Sequence, residues 1–225
     1  LLGCVITGLI GLMLWKNQPE NRKKVLMYAS MFSNAGNAGL PIISLVFGPV
    51  GVFYASMYLI PPRILQWTVG LGLFVKPEKG GWVKNVLLNP MVVMIYIGAF
   101  LMATQWQIPG VFGTAISKLG DMTAPLSMIL IGATLAHIDW KMLMDRSVLV
   151  TSLFRLIVFP LLFAVALKLC RVDELTMNIC VILLAMPVAS NTAAMAERYG
   201  GDYVFASACV SVSTLLSILT VPVIT

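Results

Sequence analysis

Ser33-Asn34-Ala35-Gly36-Asn37-Ala38-Gly39-Leu40-Pro41 interrupts an apolar stretch that runs from Val25 to Val46. Pro41 has no N–H and leaves the carbonyl of Asn37 without its helical partner, while Gly36 and Gly39 weaken the helix and bring backbone into reach. The helix is expected to break there. Non-helical backbone at membrane depth is tolerated only where protein buries it or where it lines a watery cavity. Asn34 and Asn37, three residues apart, then offer side-chain amides to that cavity. The pair reads as the lining of a substrate path, and the alternative is interhelical hydrogen bonding that holds the bundle together.

Composition sets the class. The 225 residues are 59% hydrophobic and 11% charged with a mean hydropathy of +0.93, and the apolar runs repeatedly reach membrane-spanning length. The chain reads as an integral membrane protein. Leu1 to Trp15 are apolar without a basic leader, so they are expected to be the remainder of a span in a fragment of a longer protein. Cys4, Cys170, Cys180 and Cys209 have neither metal nor disulfide spacing and read as small hydrophobes.

Hydropathy predicts spans at 1–15, 25–48, 51–74, 86–105, 121–138, 147–169, 174–197 and 203–225. Lys and Arg favour cytoplasmic loops. One set of alternate loops carries Lys16, Arg22, Lys23, Lys24, Lys76, Lys79, Lys84, Lys141, Arg146 and Arg198, the other only Lys118, Lys168 and Arg171. The first set is therefore inside. Dispersal of these charges over short loops argues against nucleic-acid binding. The topology is testable: single cysteines replacing Lys84 and Lys118 in a cysteine-free background should label from opposite faces. Labelling of both from one face refutes the span count between them.

A weak internal repeat accompanies the break. Phe47-Gly48 with Val52-Phe53 matches Tyr199-Gly200 with Val204-Phe205 at a constant offset of 152. The second copy has its own interruption, Ala185-Met186-Pro187-Val188-Ala189-Ser190-Asn191-Thr192, where Pro187 frees the carbonyl of Leu183 and Ser190 is placed to cap a restarting half-helix. The offset crosses an odd number of spans, so the copies point in opposite directions. Inverted repeats with matching discontinuous helices are the architecture of many secondary transporters, with sites near the midplane.

The run Phe32 to Pro41, Ala185-Met186-Pro187 leading into Ala196-Glu197-Arg198-Tyr199-Gly200, and Leu119-Gly120-Asp121-Met122-Thr123-Ala124-Pro125-Leu126 with Ile131-Gly132-Ala133 together resemble the auxin efflux carrier family, which includes bacterial permeases and plant exporters. The resemblance covers essentially the whole chain. It implies an all-α polytopic fold of two inverted five-helix repeats with two crossed broken helices, of the sodium/proton-antiporter type, of which helices three to ten of ten are present here. Residues 1–75 and 147–225 would then form the moving transport domain, and 86–138 a scaffold that also mediates dimerisation, giving a homodimer when full length. The same resemblance implies a multi-pass protein of the bacterial inner membrane that carries a small organic anion by elevator-type alternating access.

An anion also follows from physical chemistry. Half-helices starting near Pro41 and near Ser190 would aim unpaired N–H groups and positive dipole ends at the midplane, where a carboxylate is favoured. The coupling ion is expected to be H⁺ or Na⁺; neither break holds an acidic residue, so a cation site built on side-chain carboxylates is disfavoured there, and Na⁺ would rely on carbonyl and Asn oxygens. Substrate-lining candidates are Asn34, Asn37, Gly39, Pro41, Pro187, Ser190, Asn191 and Arg63. Arg63, after Pro61-Pro62, lies near the centre of its span, where it either attracts the anion or pairs with carbonyls the prolines free. Arg155 lies nearer a span end and is expected to reach an interface or a carboxylate. Asp121 reads as an N-cap, with a proton-linked role as the alternative, and His137 as a helix-end residue.

One His, no paired acids within a span and no Ser–His–Asp set leave hydrolytic and metal catalysis without their groups, so no enzymatic activity, cofactor or metal is expected. The partners expected are a small organic anion, a coupling ion and membrane lipids. The rival class is a transporter-like membrane sensor that binds a lipid or small molecule without moving it.

Overall fold

Proline, glycine and short polar runs fix where the helices of this chain stop. The computed structural model describes residues 2–75, 88, 90–106, 108–122, 125–126, 129, 132–133 and 144–224. Among those residues lie the helices α1 (Leu2–Leu14), α2 (Glu20–Met31), α3 (Ala35–Phe74), α4 (Pro90–Thr104), α5 (Gly110–Asp121), α6 (Arg146–Leu169), α7 (Glu174–Leu184), α8 (Asn191–Arg198) and α9 (Tyr203–Ile224). Three of them, α3, α6 and α9, are long and apolar enough to cross a bilayer. Large apolar side chains such as Met13, Leu45 and Val223 stand more than four-fifths exposed, as they do in a protein solvated by lipid. The chain is an integral membrane protein.

The predicted spans other than 121–138 fall on described helices, with 25–48 divided between α2 and α3, 51–74 continuing in α3 and 174–197 divided between α7 and α8; most of 121–138 lies outside the described residues together with Lys76, Lys79, Lys84, Lys141 and His137. One helix was not expected: α5 occupies a segment that reads as an outer loop. Its three glycines and its Lys118–Asp121 ion pair (3.8 Å) depress the hydropathy that a span search uses. Asp121 is the last residue of α5 and not the N-cap that its sequence context implies.

Three helical stretches widen into a π turn, each close to a proline. They are Ala35–Gly39 before Pro41, Gln66–Gly70 after Pro61-Pro62, and Phe154–Val158 before Pro160. A π turn inserts one residue into the ladder and rotates the side chains around it, a distortion frequent at functional sites. These turns carry Asn37, Gln66 and Arg155.

The core is built around the interruptions. α1 packs on α2, α3 on α7, α8 on α9, and α9 also on α2 and α6. One cluster gathers Leu26, Tyr28, Phe32, Phe74 and Phe205, with Tyr28 4.8 Å from Phe32 and 5.6 Å from Phe74 between ring centroids. A second packs Ile43 and Ala55 of α3 against Ile179, Ile182, Leu183 and Met186.

Inside α3, Gly48 holds φ +61° and ψ −154°, a region essentially reserved for glycine, and the helix kinks there. Gly200, its counterpart in the repeat, also has positive φ, at +74°. Nothing lies within 4 Å of an added carbon at Gly48, so backbone conformation and not space demands glycine. Gly48→Ala should therefore lower stability by about 1–3 kcal/mol, read as a lower unfolding temperature of the detergent-purified protein. An unchanged midpoint would mean the kink is not needed.

At one end of the bundle Arg22 joins three elements. Its Nη1 donates to Asp145 at 3.1 Å and its Nε to Asp202 at 3.2 Å, while the guanidinium lies 4.6 Å from the Phe205 ring centroid. Asp145 also accepts the Ser147 N–H at 2.8 Å, capping α6. Two partly shielded ion pairs and a cation–π contact sum to about 1–3 kcal/mol. Arg22→Ala should cost that much in thermal unfolding while Lys16→Ala, on the exposed α1–α2 turn, costs little, and about 1 M salt should narrow the difference.

Candidate functional site at the crossing of two interrupted helices

Between α2 and α3 the chain runs extended through Phe32 and Ser33, and between α7 and α8 it does so around Pro187 and Val188. The two stretches meet in an antiparallel bridge, Ser33 against Val188. The Asn34 N–H donates to Pro187 O at 2.8 Å and the Ala189 N–H to Phe32 O at 3.2 Å. Val188 N–H donates to the Ser213 hydroxyl of α9 at 3.0 Å. Pro187 deprives Leu183 of its helical donor, and the Ser33 hydroxyl takes that place at 3.1 Å. Backbone groups that lipid could not satisfy are thus satisfied by the other interruption.

The first break lies upstream of where Pro41 would put it. The half-helix begins at Ala35, because Asn34 O accepts both Ala38 N–H (2.9 Å) and Gly39 N–H (3.3 Å) in the π turn, and the chain passes Pro41 in helical geometry. The second half-helix begins at Asn191. Ser190 does not cap it. With φ −59° and ψ −28° its backbone is already helical, and its hydroxyl accepts from Asn37 Nδ2 at 3.2 Å and donates to Asn34 Oδ1 at 3.5 Å.

Asn34, Asn37 and Ser190 therefore form one hydrogen-bonded cluster linking the two interruptions. Asn34 is buried, and its Nδ2 has no acceptor among the described residues. An unpaired buried donor is costly, and an incoming acceptor would satisfy it. A second chain of contacts runs beside it: Arg63 Nη1 donates to Gln66 Oε1 at 3.4 Å, and Gln66 Nε2 to Asn191 Oδ1 at 3.1 Å. Gln66, buried in the π turn of α3, is a site neighbour that the sequence reading missed. Its signal was available, as an amide within a span three residues after an arginine.

The eight candidates divide in space. Asn37 and Pro41 line a cleft of about 380 Å³ together with Gly36, Leu40 and Ser44, faced by Asp121 of α5. Arg63 faces a separate, small cavity on the other side of Gly36. Asn34, Ser190 and Asn191 link the two interruptions, and Pro187 carries the bridge. Gly39 is a packing position: an added carbon would meet Leu183 Cδ2 at 2.7 Å and Met186 Cγ at 3.1 Å. Arg155 reaches no carboxylate among the described residues; wholly buried, it donates from Nη1 to Ser30 O at 3.0 Å.

The meeting of two interrupted helices within an all-helical membrane protein is an arrangement found in many membrane transporters. The chain is a member of the membrane transport protein family, that of the auxin efflux carriers, whose family model matches residues 1–86 and 81–225. It is similar to an "Uncharacterized transporter" of Methanothermobacter thermautotrophicus, 27% identical over 97% of this chain and 74% of that protein. It is also similar to a "Putative malonate transporter" of Rhizobium meliloti, 23% identical over 86% of this chain and 63% of that protein. A third similar protein is "Uncharacterized transporter MJ1031" of Methanocaldococcus jannaschii, 22% identical over 98% of this chain and 74% of that protein.

Proposed function

We propose that this chain is the greater part of a secondary active transporter for a small organic anion of the carboxylate class. The substrate sits in the cleft beside Asn37 at the crossing of the two interrupted helices. The observation that carries this reading is the Asn34–Asn37–Ser190 cluster, in which a buried amide donor lacks an acceptor next to a cleft of about 380 Å³. That volume falls at the lower end of small-molecule sites. Two half-helices start at the cluster, so their positive dipole ends lie beside it, which favours a carboxylate nearby. The malonate in the name of the rhizobial relative is a substrate of the same chemistry.

On this reading the fold is an inverted repeat. Positive φ at both Gly48 and Gly200, positions that match at the repeat offset, supports it. Residues 1–75 and 147–225 would move as one body past a scaffold built from 86–138, as an elevator does, in a homodimer seated in a bacterial inner membrane. The coupling ion on this reading is H⁺ or Na⁺, and Asp121 is the carboxylate that faces the cleft.

The test is uptake of radiolabelled malonate and related dicarboxylates into proteoliposomes holding the full-length protein. Saturable flux, inhibited by other small dicarboxylates and not by their diamides, is expected. Saturable binding with no flux under any ion gradient would overturn transport and leave a membrane sensor.

A further inference from the structure

Behind the crossing lies a second cavity, of about 20 Å³, reached by Cys4 of α1, Ala35 and Gly36 of the first half-helix, Arg63 and Gln66 of α3, and Arg155 of α6. Two guanidinium groups thus face one small space. Arg155 is 1% exposed, and its Nε has no acceptor among the described residues; its Nη1 holds only the Ser30 carbonyl. Arg63 has the Gln66 amide oxygen, at 3.4 Å. Two guanidiniums carry ten N–H groups between them. Among the described residues their hydrogen bonds reach two neutral oxygens, and no carboxylate lies within ion-pair distance. A buried charge is costly to remove from water without a counter-charge, and Arg155 is buried while Arg63 is partly buried.

The geometry points to a bound inorganic anion of halide size, chloride by abundance, held between Arg63 and Arg155 at the start of the half-helix that opens at Ala35. One anion there offsets the buried Arg155 and the partly buried Arg63 and takes the orphaned Nε–H of Arg155. Size selects the class: a cavity needs about 10–15 Å³ of such volume for a single water, so this one admits a monatomic ion and excludes a dicarboxylate. The site is separate from the cleft beside Asn37 and stands whether or not the organic anion is transported. Because Arg63 reaches it from α3, Arg155 from α6 and Gly36 from the first half-helix, its occupancy ties together the elements that hold the crossing.

Equilibrium dialysis of radiolabelled chloride against the purified full-length protein in chloride-free gluconate buffer tests it without any organic substrate. One saturable chloride per chain is expected, displaced by bromide and not by sulfate or gluconate. Arg63→Gln and Arg155→Gln should each weaken it at least tenfold. Gly36→Ala covers the case in which an arginine variant does not fold, because its added carbon collides only with the mobile end of Arg63. It should leave the protein folded and chloride binding several-fold weaker. Absence of saturable chloride from the wild type, or full binding in Gly36→Ala and in every folded arginine variant, overturns the site.

Discussion

Alanine in place of Asn37 should lower the affinity of the full-length protein for a small organic anion by roughly tenfold to a hundredfold. A hydrogen bond from an amide to a charged carboxylate contributes about 1.5–3 kcal/mol, against about 0.5–1.5 kcal/mol for a neutral partner. Each 1.4 kcal/mol is about a factor of ten in Kd. Asn37 lines the cleft, and its Nδ2 already donates to Ser190 Oγ, so the substitution also releases the hydroxyl that contacts Asn34. Asn34→Ala should act in the same direction through the donor that now has no acceptor. Lys168→Ala, exposed near the end of α6, should be neutral. Ligands with a carboxylate should be preferred over the matching amide, and that preference should fade as the ligand is protonated at low pH. Calorimetry on the wild type and the variants measures all of this. An Asn34→Ala, Asn37→Ala double variant with unchanged binding and flux would remove the crossing from the substrate path.

The interruptions were legible because proline announces them: a missing N–H orphans one particular carbonyl, and the sequence alone named Leu183 as one of them. What met that carbonyl was not legible. Ser33 is its partner across 150 positions of chain, and the bridge between Ser33 and Val188 is a backbone contact that no side-chain pattern encodes. The start of the first half-helix was misplaced for a related reason. A π turn lets Asn34 O accept two N–H groups ahead of Pro41, so the proline follows the break instead of making it.

Arg155 was read by its distance from a span end, a one-dimensional measure. The π turn that contains it directs it toward α2 and the Ser30 carbonyl, which only packing decides. Ser190 carried the right residue type for a cap. The same hydroxyl chemistry served the two asparagines instead, because the backbone was already helical and left no cap to make. α5 escaped notice because a helix rich in glycine with a charged pair at its end has no hydropathy signature.

Valine at position 39 should lower the unfolding temperature and disable the site together. Gly39 closes the π turn of the first half-helix against the end of α7, where even one added carbon would come within 2.7 Å of Leu183 Cδ2 and 3.1 Å of Met186 Cγ. Both neighbours are fully buried, so neither can swing into open space. Overpacking of this kind costs about 1–3 kcal/mol, and branching at Cβ puts valine at the upper end. At about 2–4 °C per kcal/mol for a protein of this size, the midpoint should fall by roughly 2–12 °C. Relief is available in one direction only, with the half-helix moving off α7. That motion stretches the Ser33–Val188 bridge and draws Asn37 away from Ser190, so anion affinity should drop even below the melting range. Gly98→Ala on α4 is the matched control: nothing lies within 4 Å of an added carbon there, and alanine is the better helix former. It should hold or raise the midpoint. A Gly39→Val protein that melts with the wild type would show that the two interrupted helices are not in close contact at this point, and one that melts early yet binds normally would separate the packing of the crossing from its chemistry.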